Sequence, residues 1–212
     1  MCSRRAGRPL DAAKRAAIVE TAAHHFFHHG FAATAIEQIA TDAGVSKVTI
    51  YNQFGDKRAL FAAAVECECE KMRGYFSLDA MPSGSIRQRL TAIGEAVVAF
   101  LARPEMIRFD RRIAAETEHE PTIGVAFLAA GPWRMKHAFA AYLSHEVEAG
   151  ALRIADPLLA AEQFVSLCKG MGDLERRFGA DVAAETVRKR IEGAVEVFLA
   201  AYAAPTASRG HR

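Results

Sequence analysis

The chain has 212 residues, 51% of them apolar, with 27 Lys and Arg against 25 Asp and Glu. That is enough for one ordinary domain and a smaller one, and no apolar run approaches the roughly 20 residues that a membrane-spanning helix requires. Charge is unevenly spread: residues 1–60 hold eight basic against five acidic side chains and the remainder nineteen against twenty, so a polyanionic partner is expected at the N-terminal end.

The opening MCSRRAGRPLDAAKR is basic with no apolar stretch behind it, so it does not read as a signal peptide and a cytoplasmic location is expected. Almost every later segment has a helical period, and no alternating strand pattern stands out. A first helix is expected over residues 10–29, striped by Ile18, Ala22 and Phe26 and stopped by Gly30. Thr34 and Glu37 have the spacing of a capping box, in which hydroxyl and carboxylate satisfy free amides at a helix start. Gly44 ends that short helix, Ser46 caps a second through residue 52 or 53, and Asp56 caps a longer one from Lys57 to about residue 74.

Further on, Ile86, Leu90, Ile93, Val97 and Leu101 stripe a helix that Pro104 terminates, and another is expected over residues 105–118. Gly131 and Pro132 break the following stretch, and its second piece closes at Gly150. Asp156 followed by Pro157 opens a helix to about residue 171, and a last one is expected over residues 181–203. The fold class is therefore all-α: an N-terminal three-helix head joined to a larger helical body, about nine helices in all. Residues 1–10 read as a disordered basic arm, 11–71 as the head, 72–204 as the body and 205–212 as a disordered tail. The four cysteines, Cys2, Cys67, Cys69 and Cys168, are scattered as reduced thiols would be.

The informative stretch is TAIEQIATDAGVSKVTIYNQFGDK, residues 34–57. Two short helices joined at Gly44 make a helix-turn-helix, with Ile36, Ile39 and Ala40 facing Val45 and Ile50. The second helix turns Lys47, Thr49, Tyr51, Asn52 and Gln53 outward, donors and acceptors short enough for base edges or phosphates in a major groove. Such a pair also occurs in proteins that never touch DNA.

Residues 11–71 resemble the N-terminal domain of the tetracycline-repressor (TetR) family. The resemblance rests on Ile18, Ala22, Phe26, Gly30, Thr34, Ile39, Ala40, the run Ala43, Gly44, Val45 and Ser46, then Thr49, Ile50, Tyr51, Phe54, Lys57 and Leu60. It implies a bacterial, non-enzymatic transcription regulator with a palindromic operator, a repressor released by a small-molecule effector and nucleoid-associated when bound to DNA. Tyr51 matches the tyrosine that binds operator phosphate and Lys57 the lysine that does so from the next helix start, where free amides and the helix dipole add to its charge. Thr34 stands at a backbone-contacting position. Lys47, Val48, Thr49 and Gln53 stand on the family's variable, base-facing positions: Lys47 suits guanine, Gln53 adenine and Val48 a thymine methyl. Arg4, Arg5 and Arg8 resemble the family's basic arm, suited to the minor groove.

The resemblance also implies a homodimer, since one short recognition helix reads only a few base pairs. The stripes expected to pair into a four-helix bundle are Leu158, Ala161, Val165 and Cys168, with Val187, Ile191, Ala194, Val195, Phe198 and Tyr202; the alternative is that they bury against their own chain. Residues 83–150 are expected to form the effector-binding body, with Phe100, Met106, Phe109, Trp133, His137 and Phe164 as pocket candidates or plain core.

The run His24, His25, Phe26, Phe27, His28, His29 offers i, i+4 histidine pairs, with Glu20 one turn earlier. No cysteine lies near it, and Cys67 and Cys69 point about 200° apart on a helix. No metal or cofactor is expected. A metal-dependent hydrolase built on these histidines is the enzymatic alternative, but no phosphate loop, nucleophile elbow or spaced Cys/His set supports it. The closer alternative is a dimeric DNA-binding regulator that needs no effector.

Overall fold

The computed structural model describes residues 9–73 and 84–205. Among these residues there are eleven helices: α1 (Pro9–His29), α2 (Ile36–Asp42), α3 (Lys47–Phe54), α4 (Lys57–Arg73), α5 (Ile86–Leu101), α6 (Pro104–His119), α7 (Pro121–Ala130), α8 (Pro132–Glu148), α9 (Pro157–Lys169), α10 (Gly172–Arg177) and α11 (Ala184–Tyr202). Pro9 and Leu10 are helical rather than part of an arm; Arg4, Arg5 and Arg8 and the expected tail from residue 206 lie outside the described residues. None of the described helices is long and apolar enough to cross a membrane.

Local chemistry sets most boundaries. Ser46 accepts from the Thr49 amide at the start of α3, Asp56 Oδ1 from the Ala59 amide in α4, and Asp156 from Leu158 and Leu159 ahead of the proline that opens α9. Ser85 and Gln88 form a reciprocal capping box on α5. The box expected of Thr34 and Glu37 is absent: Ala35 is the N-cap of α2 and offers no side-chain bond. Thr34 is instead 3% exposed, and its hydroxyl donates to Gly30 O (2.6 Å) and His25 O (3.2 Å). The Gly30 carbonyl just past the end of α1, and the His25 carbonyl near that end, draw the hydroxyl away from the amides of α2.

The chain forms two compact units, and they do not follow the expected division at residue 71. The first joins Met1–Lys71 to Pro104–Pro132, so α6 and α7 belong with α1–α4. Its core holds Ile18, Ala22, Phe26, Ile39, Ile50 and Leu60 together with Phe109, Ile113 and Ile123. Phe109 stacks on Phe27 at 4.0 Å and meets Phe127 edge-on at 5.6 Å, while Phe26 meets Phe61 edge-on at 5.3 Å. Such ring pairs add to what burial alone contributes.

The second unit joins residues 72–103 to residues 133–212. Helices α5, α9 and α11 pack on one another around Leu90, Ile93, Phe164, Cys168, Ile191, Val195 and Phe198, with Phe139 and Leu143 of α8 in the same core. The end of α11 is stitched to the loop after α8 by Arg153 N to Tyr202 O (2.8 Å) and Ala204 N to Ala151 O (3.1 Å). Arg89 donates to the buried Glu146 (2.6 Å) and to Tyr142 Oη (3.1 Å), tying α5 to α8. Burial pushes the Tyr142 phenol up to about 12, and likewise the Cys168 thiol.

This core corrects the expected dimer face. Ala161, Cys168, Ile191, Ala194, Val195 and Phe198 are buried within their own chain, and Val165, Val187 and Tyr202 are half-buried. Of that set only Leu158 is exposed. From α9 to α11 the large apolar side chains left exposed are Leu158, Leu159, Leu167, Met171, Leu174, Phe178 and Val197.

Candidate nucleic-acid interface

The turn between α2 and α3 is made by Gly44 at φ +65°, a left-handed conformation that a β-carbon would disfavour. Val45 N bonds back to Ala40 O at 2.9 Å, and Ile36, Ile39 and Ile50 are all buried. Two side chains of α1 hold this pair in place. Arg15 donates to Gln53 O (3.3 Å) and covers the Phe54 ring at 4.2 Å. His25 Nε2 lies 2.7 Å from Asp42 Oδ2, a bond that, with a second from Gln38, holds the Asp42 carboxyl below its ordinary range.

The exposed edge of α3 consists of Lys47, Val48, Tyr51 and Asn52, with Val48 65% exposed although apolar. Thr49 and Gln53 are half-buried. Thr49 Oγ1 is hydrogen-bonded to Ser46 Oγ at 2.9 Å, so that hydroxyl serves the helix cap. Lys47 is paired with Glu37 of α2, and its ammonium lies 5.7 Å from the centre of the Tyr51 ring. The hydrogen bond between them holds Glu37 below and Lys47 above their ordinary ranges. Thr34 is not on this edge, because its side chain is turned inward.

Lys57, the first residue of α4, donates to Ala32 O at 3.2 Å and lies 4.6 Å from the Phe31 ring centre. Partial burial pulls this ammonium below the usual lysine range, against the pull of the Glu116 carboxylate. Sequence reasoning missed Arg15, the His25–Asp42 contact and Glu116; their partners stand 17 to 85 positions away, and no local pattern links them.

The pocket candidates do not come together in one unit. Met106 and Phe109 belong to the first, where Phe109 is core; Phe100, Trp133, His137 and Phe164 belong to the second, where Phe164 is core. Phe100 is half-buried, and Trp133 and His137 are exposed. In the histidine run, the His24 and His28 rings lie 4.4 Å apart at a tilt of 39°. Burial and then the neighbouring His24, Arg108, His29 and Arg112 lower the His28 imidazole. Among the described residues no group of three or more His, Cys, Asp or Glu can hold a metal ion.

Residues 18–64 match a family model described as bacterial regulatory proteins of the tetR family. Residues 88–204, more than half of the chain, match one described as the C-terminal domain of AefR-like transcriptional repressors. The chain belongs to the TetR family. Members of that family are DNA-binding transcription regulators rather than enzymes. A TetR-family chain from Mesorhizobium loti MAFF303099 is similar over 92% of this chain and all of its own length, with 26% identity and a TM-score of 0.77. A protein named flavonoid-responsive regulator FrrA has 30% identity over the same shares, with a TM-score of 0.71. A TetR-family regulator from Pseudomonas syringae pv. tomato str. DC3000 has 27% identity over 92% of this chain and 98% of its own, with a TM-score of 0.62. A search of curated proteins finds no match.

Proposed function

We propose that this TetR-family regulator is a homodimeric repressor that leaves a palindromic operator when a small molecule binds its body. The observation that carries the DNA side is the outward edge of α3, where Lys47, Val48, Tyr51 and Asn52 stand exposed on a helix that Ser46, Arg15 and Ile50 hold in place. Tyr51 and Lys57 are assigned to phosphate, Lys47, Val48 and Gln53 to base edges, and Arg4, Arg5 and Arg8 to the minor groove. Exposed apolar side chains along α9, α10 and α11 support pairing with a second copy, which doubles the recognition helix.

On the effector side, Phe100, Trp133 and His137 are the pocket candidates that retain accessible surface. The relative named flavonoid-responsive regulator FrrA makes flavonoids the first compounds to try. Trp133 is the chain's sole tryptophan, so a ligand against it would change its fluorescence. The test has two stages. Duplexes selected by the full chain from a randomised pool should converge on an inverted repeat, and lose affinity as salt rises. A compound that quenches Trp133 should then weaken that complex; unchanged affinity with the compound saturating leaves a regulator without this effector.

A further inference from the structure

We propose that Glu116, far from the DNA-reading helix in sequence, is the positioning residue for the operator-phosphate lysine Lys57; this rests on the DNA-binding reading above. The Glu116 carboxylate projects from α6 to the loop that leaves α1. Its Oε2 accepts from the backbone amides of Phe31 and Ala32, both at 3.1 Å. Two adjacent amides converging on one carboxylate oxygen make charge-assisted bonds, roughly twice as strong as neutral ones. One turn earlier on α6, Arg112 donates to Phe27 O at 3.4 Å, in the last turn of α1. The pair therefore grips the last turn of α1 and, past Gly30, the residues Phe31 and Ala32.

Those two residues are the seat of Lys57. Ala32 supplies the carbonyl that its ammonium bonds and Phe31 the ring beneath it. Fixing the Phe31 and Ala32 amides fixes both. Gly30 supplies an independent constraint. Its φ of +85° already favours glycine, and a β-carbon there would run into Glu116 Oε1. The chain thus leaves room for the carboxylate beside Gly30, where a β-carbon would push it aside. Lys57 enters the bound state from a fixed seat, so little ordering of its flexible stem remains to be done on binding.

The experiment compares the full-length wild type with Glu116→Ala, Glu116→Gln, Lys57→Ala and the Glu116→Ala/Lys57→Ala double variant, using the duplex that the wild type selects from a randomised pool. Glu116→Ala is expected to raise Kd about tenfold, and Glu116→Gln, which keeps an acceptor oxygen, about threefold. In Glu116→Ala the slope of log Kd against log salt should flatten by about one phosphate's worth, roughly 0.9. The double variant should bind no worse than Lys57→Ala alone. A carboxylate that only stabilised the fold would lower the unfolding midpoint and leave the slope intact, and that result overturns the proposal. Additive losses in the double variant overturn it too. A wild type that binds no duplex sinks the DNA reading first, whereas a binding wild type matched by both Glu116 variants sinks this inference alone.

Discussion

Lys47 and Glu37 illustrate how a residue proposed to read bases is held in the absence of DNA. The pair is exposed, so solvent screens it and a duplex competes with it easily. The carboxylate also repels phosphate. Glu37→Gln is therefore expected to tighten operator binding about two- to fivefold at low salt, measured by mobility shift; weaker binding would instead mean that Glu37 orients the lysine. Thr34 is the opposite case, a polar group wholly committed to the interior. Thr34→Val should take from the Gly30 carbonyl its hydroxyl donor and cost about 1–3 kcal/mol in urea unfolding. An unchanged midpoint would contradict that account. The caps of Ser46, Asp56 and Asp156 were legible because they depend on residues two or three positions away. The Thr34 and Glu37 spacing misled for a physical reason: a hydroxyl serves whichever backbone group lacks a partner, and here that group was behind it.

At the scale of elements, the helix-turn-helix was readable almost to the residue, since Gly44, Ser46 and the apolar positions of α2 and α3 all act locally. The faces of α9 and α11 were not. Both helices carry apolar side chains over more of their surface than one stripe, and a sequence does not say which stripe meets its own chain. Phe164, Cys168, Ile191 and Phe198 turned inward, leaving Leu158, Leu159 and Leu167 outside. Substituting the outward set should therefore separate the proposed dimer without unfolding the chain. Leu159→Glu combined with Leu167→Glu is expected to give a monomer by sedimentation with unchanged helicity. A variant that stays dimeric would place the interface on another face. The α5–α8 link of Arg89, Tyr142 and Glu146 yields an alkaline signature. Because burial raises Tyr142 to about 12, its contribution to stability is complete below the ordinary tyrosine value of about 10 and is lost as pH climbs through 12. Tyr142→Phe should flatten that alkaline limb of the unfolding midpoint; an identical profile would assign the loss to other groups.

For the molecule as a whole, the two units cut across the order of the chain. The sequence implied a head ending near residue 71, and α1–α4 alone do contain the reading edge. Phe109, Arg112 and Glu116 nevertheless supply that head with a stacked ring, a cap and a clamp from 85 residues or so downstream. No pattern within α6 announces this, because Phe109 and Ile113 read as ordinary stripe residues for any neighbour.

That interleaving bears on how the protein is made and how it can be cut. During synthesis α1–α4 leave the ribosome before α6 exists, so the Phe31 and Ala32 amides stay in water until translation passes residue 116. A fragment truncated after Lys71 would expose the face of Phe27 on which Phe109 stacks. Anyone grafting this reading head onto a foreign sensor would have to transplant two separate stretches, 9–71 and 104–132, and keep them in register.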